Sequence, residues 1–138
     1  MEERVRAVGH DHVVATHGST FEVTTDDYLT PSGDCILAVE ADRAPADFDA
    51  AFVEACREPT VVIAAEFRVG DRTATVTGRG HPDLTFASER SLVGRTSDYV
   101  DDRTVMVGAD AAASDLPRAL VAALADGRPL ELRLEVTT

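Results

Sequence analysis

Apolar residues recur along this chain with two periods, and the switches between them mark out the elements. Val5 to Gly9 alternates as a short strand, and from Val13 to Thr25 a period of two puts Val13, Ala15, His17, Phe21 and Val23 on one face. Asp34 to Ala41 is apolar almost throughout, from Cys35 to Val39, which predicts a strand buried on both faces. Between Asp47 and Arg57, the spacing of Phe48, Ala51, Phe52 and Ala55 predicts an amphipathic helix that Pro59 ends. Thr60 to Val69 and Thr73 to Arg79 read as a hairpin turning at Gly70-Asp71. Strands then follow at Leu84 to Thr96 and Thr104 to Ala109, a helix from Ser114 to Ala125, and a last strand from Leu130 to Val136. Ser114 is the expected N-cap, with Pro117 inside the first turn.

The halves also match residue by residue. Val5, Gly9, His10, Thr25, Asp27 and Tyr28 align with Val76, Gly80, His81, Thr96, Asp98 and Tyr99, and the later match pairs Asp34, Asp42, Asp47 and Ala55 with Asp102, Asp110, Asp115 and Ala123. The expectation is one α+β domain, residues 1–138, made of two repeats at about 4–69 and 73–136. Two strand-strand-strand-helix-strand units would close a small β-barrel or strongly curved sheet, with two helices and a pseudo-twofold axis. An open two-layer sheet with both helices on one face is the alternative, and the helices are candidates for right-handed crossovers between parallel strands.

At 138 residues the chain can bury a core without disulfides or metal. Its formal charge of −12 comes with 13 basic residues, all Arg and none Lys, which looks like a cytoplasmic protein of an organism that accumulates molar salt. At about 1 M salt the Debye length is only ~3 Å, so such a surface is well screened. The charge argues against a broad nucleic-acid surface, which normally needs a basic stripe. No apolar stretch predicts a signal peptide or a membrane span. Cys35 and Cys56, without CxxC spacing, read as reduced thiols filling the core.

The four histidines lie near the front of each half: His10, His12 and His17, then His81. Neutral imidazoles of His10, His12 and His81 converging from two loops would suit zinc, but the spacing matches no metal motif and no metal site is assigned. His17 shares parity with core residues, so it reads either as a hydrogen-bonded core histidine or as a shielded acid or base. Asp34 and Asp102 open the buried strands while Asp42 and Asp110 close them, positions that cap turns or orient a histidine. Arg95-Thr96-Ser97 and Arg103 bring guanidinium and hydroxyl groups together, which suits phosphate or carboxylate. P-loop, dinucleotide, HExxH, GxSxG and EF-hand patterns are all absent.

Val8-Gly9-His10, Ala15-Thr16-His17, Leu29-Thr30-Pro31 and Gly33-Asp34-Cys35, with Gly78-Arg79-Gly80-His81-Pro82, Arg95-Thr96-Ser97 and Asp102-Arg103-Thr104, resemble an archaeal family. It is the domain-of-unknown-function family numbered 371. The resemblance covers nearly the whole chain and implies a small single-domain archaeal protein, here haloarchaeal, without adding a reaction. The family pattern implies a His-Pro pair where this chain has Ser88-Glu89. Two functions follow as expectations. In the first, a small phosphorylated or carboxylated ligand is held near the pseudo-axis by His10, His17, His81, Asp34, Arg95, Thr96 and Arg103, with histidine as a proton carrier. In the second, the chain is a non-catalytic partner-binding or RNA-associated module with structural histidines. The residues name neither a cofactor nor a protein partner.

Overall fold

The alternation of the longest strands is what builds the first layer. The computed structural model describes residues 1–138. Strands β1 (Glu2–Val8), β4 (Val62–Val69), β5 (Arg72–Arg79) and β8 (Pro129–Thr137) form an antiparallel sheet in the order β1-β8-β4-β5. Every second residue points inward, so Val5, Leu132, Phe67 and their neighbours form one apolar face.

A second sheet, in the order β3-β2-β6-β7, combines β2 (Thr20–Thr24), β3 (Ile36–Ala38), β6 (Ser91–Arg95) and β7 (Thr104–Met106). Its central pair β2–β6 is antiparallel, whereas β3 and β7 each add in parallel at an edge. Phe21 from this sheet meets Phe67 from the first edge to face, with ring centroids 5.1 Å apart, at the centre of the shared core. The opposite face of β2 carries Thr20, Glu22 and Thr24, which register with Arg95, Val93 and Ser91 of β6.

The helices α1 (Ala50–Cys56) and α2 (Arg118–Ala125) connect the second sheet to the first, between β3 and β4 and between β7 and β8. They are therefore not crossovers within one parallel sheet. Each is preceded by a single 3₁₀ turn, Pro45–Asp47 or Ala113–Asp115. Asp49 caps α1 by accepting the Ala51 N–H at 2.8 Å, whereas Pro117, and not Ser114, is the N-cap of α2. The C-terminal turns lie against glycines. A Cβ on Gly9 would sit inside the Leu124 carbonyl, and one on Gly80 inside those of Cys56 and Glu58.

The expected duplicated barrel around a pseudo-twofold axis gives way to two separate four-stranded sheets, neither of which closes. The strand predicted from Val13 to Thr25 is reduced to Thr20–Thr24, because Ala15 adopts φ 49° and leaves the extended region; Phe86, at φ 50°, breaks the run from Leu84 in the same way. Glu40, at φ 55°, and Gly108, at φ 58°, lie just beyond β3 and β7. Only the single bridges Val8–Val39 and Arg79–Val107 cross between the sheets, too few to make a closing ladder. No helix is long and apolar enough to cross a membrane.

Candidate functional site

The outward polar face of the second sheet is covered on two sides by the loops that join its strands, and a cleft of about 290 Å³ opens between them. Glu22 and Ile36 line its floor. Asp26, Tyr28 and Thr30 come from the loop after β2, Ser88 and Arg90 from the turn before β6, and Arg103 from the turn before β7.

Arg90 grips Asp26 through Nη2 at 2.7 Å and Nε at 2.9 Å, and Nη2 also donates to the Tyr28 hydroxyl at 3.2 Å. The Arg90 hydrogen bonds outweigh partial desolvation and hold the Asp26 carboxyl below the usual range. Arg103 is anchored to Asp101 by Nη2 at 3.0 Å and Nε at 3.3 Å. The Nη1 groups of both arginines make no hydrogen bond within the protein. The Ser88 oxygen accepts two backbone N–H groups, from Arg90 and Ser91, so its own O–H is left to donate outward.

Beside this cleft, on the same face of the sheet, lies a charge network. Arg95, only 9% exposed, donates from Nε to Thr104 Oγ1 and from Nη2 to Asp101 Oδ2, both at 2.9 Å, and its guanidinium stacks 4.8 Å from the Tyr99 ring centre. Desolvation would raise the Asp101 carboxyl, but hydrogen bonds from the Arg103 side chain and backbone, with the charges of Arg95 and Arg103, hold it at about 2. Arg95 is therefore engaged within the protein and is not among the residues that line the cleft.

The predicted residues divide into two groups. Arg95 and Arg103 share Asp101; Thr96 donates its backbone N–H and hydroxyl to the Ser19 carbonyl, both at 3.0 Å, beside the His17 turn; and Asp34 accepts the Thr16 and His17 N–H groups through its backbone carbonyl. These residues surround the second sheet. His10 and His81 follow β1 and β5, which run in opposite directions at the two outer edges of the first sheet. They thus occupy diagonal corners, on the order of 25 Å apart from strand spacing and length, and do not converge.

His10, His17 and His81 play the same local part: each Nδ1 accepts the backbone N–H two residues on, from His12 at 3.0 Å, Ser19 at 3.3 Å and Asp83 at 3.0 Å. His17 Nδ1 also accepts from Thr20 N at 3.2 Å, so this ring closes a turn and is only half-buried. Asp42 and Asp110 accept the Arg6 and Thr77 N–H groups at 2.9 Å, capping the two edge strands. Cys56 is in the core, its thiol pushed up to about 12 by burial; Cys35 is half-buried beside Glu22 and is raised to about 11 by burial and then by that carboxylate. Neither thiol is suited to nucleophilic chemistry near neutrality.

Glu22, Asp26 and Arg90 of the cleft are not singled out by sequence reasoning, and Tyr28 and Ser88 enter it only as an aligned tyrosine and as a departure from the family pattern. The usable signal was parity: Thr20, Glu22 and Thr24 alternate with Phe21 and Val23, which marks a polar face behind an apolar one.

The family model described as Domain of unknown function (DUF371) matches residues 5–137. The chain belongs to the DUF371 family. An uncharacterized protein of Methanocaldococcus jannaschii is 38% identical to this DUF371 member over 136 residues, which is 99% of this chain and 100% of the relative.

Proposed function

We propose that this DUF371 protein binds a small anionic ligand, phosphorylated or carboxylated, in the cleft over the second sheet, with Arg90 and Arg103 as its charged contacts. The observation that carries the reading is that one cleft is lined by Arg90 and Arg103, each with an Nη1 that makes no hydrogen bond within the protein, together with Ser88 and Tyr28. The volume, about 290 Å³, is at the small end for ligand pockets, which favours a metabolite over a polymer. Glu22 and Asp26 set specificity by repelling anions that do not also carry a donor or cation. Of the residues first assigned to the ligand, Arg103 keeps direct contact, and Arg95, Thr96, Asp34 and His17 shape the surrounding loops. The composition supports a further reading, the cytoplasm of a salt-accumulating archaeon, because a charge of −12 without Lys suits high ionic strength.

The test is thermal shift of the full chain in KCl against inorganic phosphate, nucleoside monophosphates and di- and tricarboxylates. Selective binding to the folded state raises the melting temperature, by the equivalent of about 2.7 kcal/mol at a hundredfold excess over Kd. Arg90→Ala and Arg103→Ala should each weaken the responding anion ~10-fold or more, the loss of one charged hydrogen bond. A chain that responds to no anion, or equally with both arginines removed, excludes this reading.

A second reading, a non-catalytic partner-binding module with structural histidines, has its own support in the Nδ1 turn bonds of His10, His17 and His81. Replacing His17 would then alter stability and leave ligand response unchanged.

A further inference from the structure

The turn after β1, which touches the cleft only through the contact of His12 with the Leu29 carbonyl, concentrates metal-binding chemistry that its capping role does not use. One donor atom from each of His10, Asp11 and His12 falls within 4.8 Å of the other two. We infer that this turn binds a divalent transition-metal ion of the zinc class through these three side chains.

Three features lead there. The first is the state of His12. Its Nδ1 lies 2.8 Å from the Leu29 carbonyl oxygen, which can only accept, so the neutral ring carries its proton on Nδ1 and its lone pair on Nε2. A histidine oriented by donating one ring nitrogen to a carbonyl, with the other left bare, is the usual arrangement of a metal ligand.

The second feature is a conflict at His10 Nδ1. The His12 N–H, 3.0 Å away, requires a lone pair there, whereas the Asp11 Oδ1 oxygen, also at 3.0 Å, requires a proton. One neutral tautomer cannot serve both. A cation shared by Nδ1 and the carboxylate removes the repulsion, and water takes up the exposed His12 N–H that it displaces. Two ligands at the tetrahedral angle, each ~2.1 Å from an ion, stand ~3.4 Å apart, so this pair needs only a small adjustment of the exposed Asp11 carboxylate to share one.

The third is the contrast with the corresponding turn after β5. There His81 Nδ1 again accepts a backbone N–H at 3.0 Å, but its carboxylate neighbour, Asp83, is 3.9 Å away and Pro82 provides no ligand. Turn capping therefore needs only one histidine, and the additional Asp11 and His12 are what the first turn has beyond it. Imidazole with one carboxylate suits zinc, nickel or copper over magnesium or calcium. With three protein ligands, at least one position stays open to solvent, as in catalytic and not structural zinc sites.

The experiment is calorimetric titration of the full chain with Zn²⁺, repeated with Co²⁺ for its visible spectrum. One ion should bind per chain, and His12→Ala should weaken binding by at least ~100-fold, beyond the usual effect of outer-shell changes. His81→Ala should leave it unchanged. If His12→Ala disturbs the metal-free fold, Asp11→Asn makes the same comparison at a side chain that is 83% exposed. Failure of the wild-type chain to bind either ion more tightly than ~1 mM, or equal affinity in the ligand variants, overturns the site. Because His12 touches the cleft wall through the Leu29 carbonyl, the two sites are told apart with Asp11→Asn, which should lose the metal and keep the anion response.

Discussion

Asp101 illustrates how much rests on single polar side chains in this molecule. It accepts from both Arg95 and Arg103, and removing its charge leaves Arg95 in a place that is 9% exposed with only Thr104 and the Tyr99 ring as partners. Asp101→Asn should cost about 1 to 3 kcal/mol, read from the urea midpoint at neutral pH. The pH dependence follows from a carboxyl held at about 2 when folded and ~3.9 when unfolded. Its folded pKa is the lower one, so its stabilisation is complete above pH ~4 and is lost as pH falls towards 2. The Asp101→Asn variant should lose less stability than wild type over that interval. An equal loss in both would show that other carboxylates dominate acid unfolding. The same residue explains why Arg95 was readable as functional from its neighbours Thr96 and Ser97 yet turned out to be engaged: hydroxyls and guanidinium adjacent in sequence mark an anion site or a structural network, and only the position of an acid six residues away decides between them.

At the level of elements, the periodicity was most informative where strands are long and one-sided. β4, β5 and β8 lie within two residues of where alternation places them, and β1 starts at Glu2, three residues before the strand read from Val5; each has one face in the core and one in water. The short strands of the second sheet were overextended by the same rule. Val13 and Ala15 are buried, as their parity suggests, but as part of a loop with a left-handed residue, which burial alone does not distinguish from a strand. The helix starts were displaced for a related reason: the residues expected in the first turn form a separate 3₁₀ turn, so Ser114 falls outside α2. Where helix ends press on strand ends, space is the constraint. Gly80→Ala should destabilise by about 1 to 3 kcal/mol, as overpacking does, because the new methyl meets the Cys56 and Glu58 carbonyls. Gly18→Ala, with nothing within 4 Å, provides the comparison and should be close to neutral in the same chemical-denaturation assay.

For the whole molecule, charge is the dominant variable. With a formal charge of −12, the chain should gain melting temperature as KCl rises from 0.1 to 1 M, since the Debye length falls from ~10 Å to ~3 Å and self-repulsion fades. A melting temperature that is flat or falling across that range, measured by calorimetry, would remove the case for a high-salt protein. The alternation of side chains and the run of carboxylates are properties of neighbours along the chain, and so the sequence alone determined the α+β composition, the long strands, the two helices and the acidic character. Closure of a sheet depends instead on strands far apart in sequence meeting in register, and here only the single bridges Val8–Val39 and Arg79–Val107 join the two sheets. Strand direction likewise put His10 and His81 at opposite corners, while loop packing brought Arg90, Arg103 and Glu22 into one cleft. Those relations are set by contacts across space, to which no local pattern of residues corresponds, and only the tertiary structure decided them.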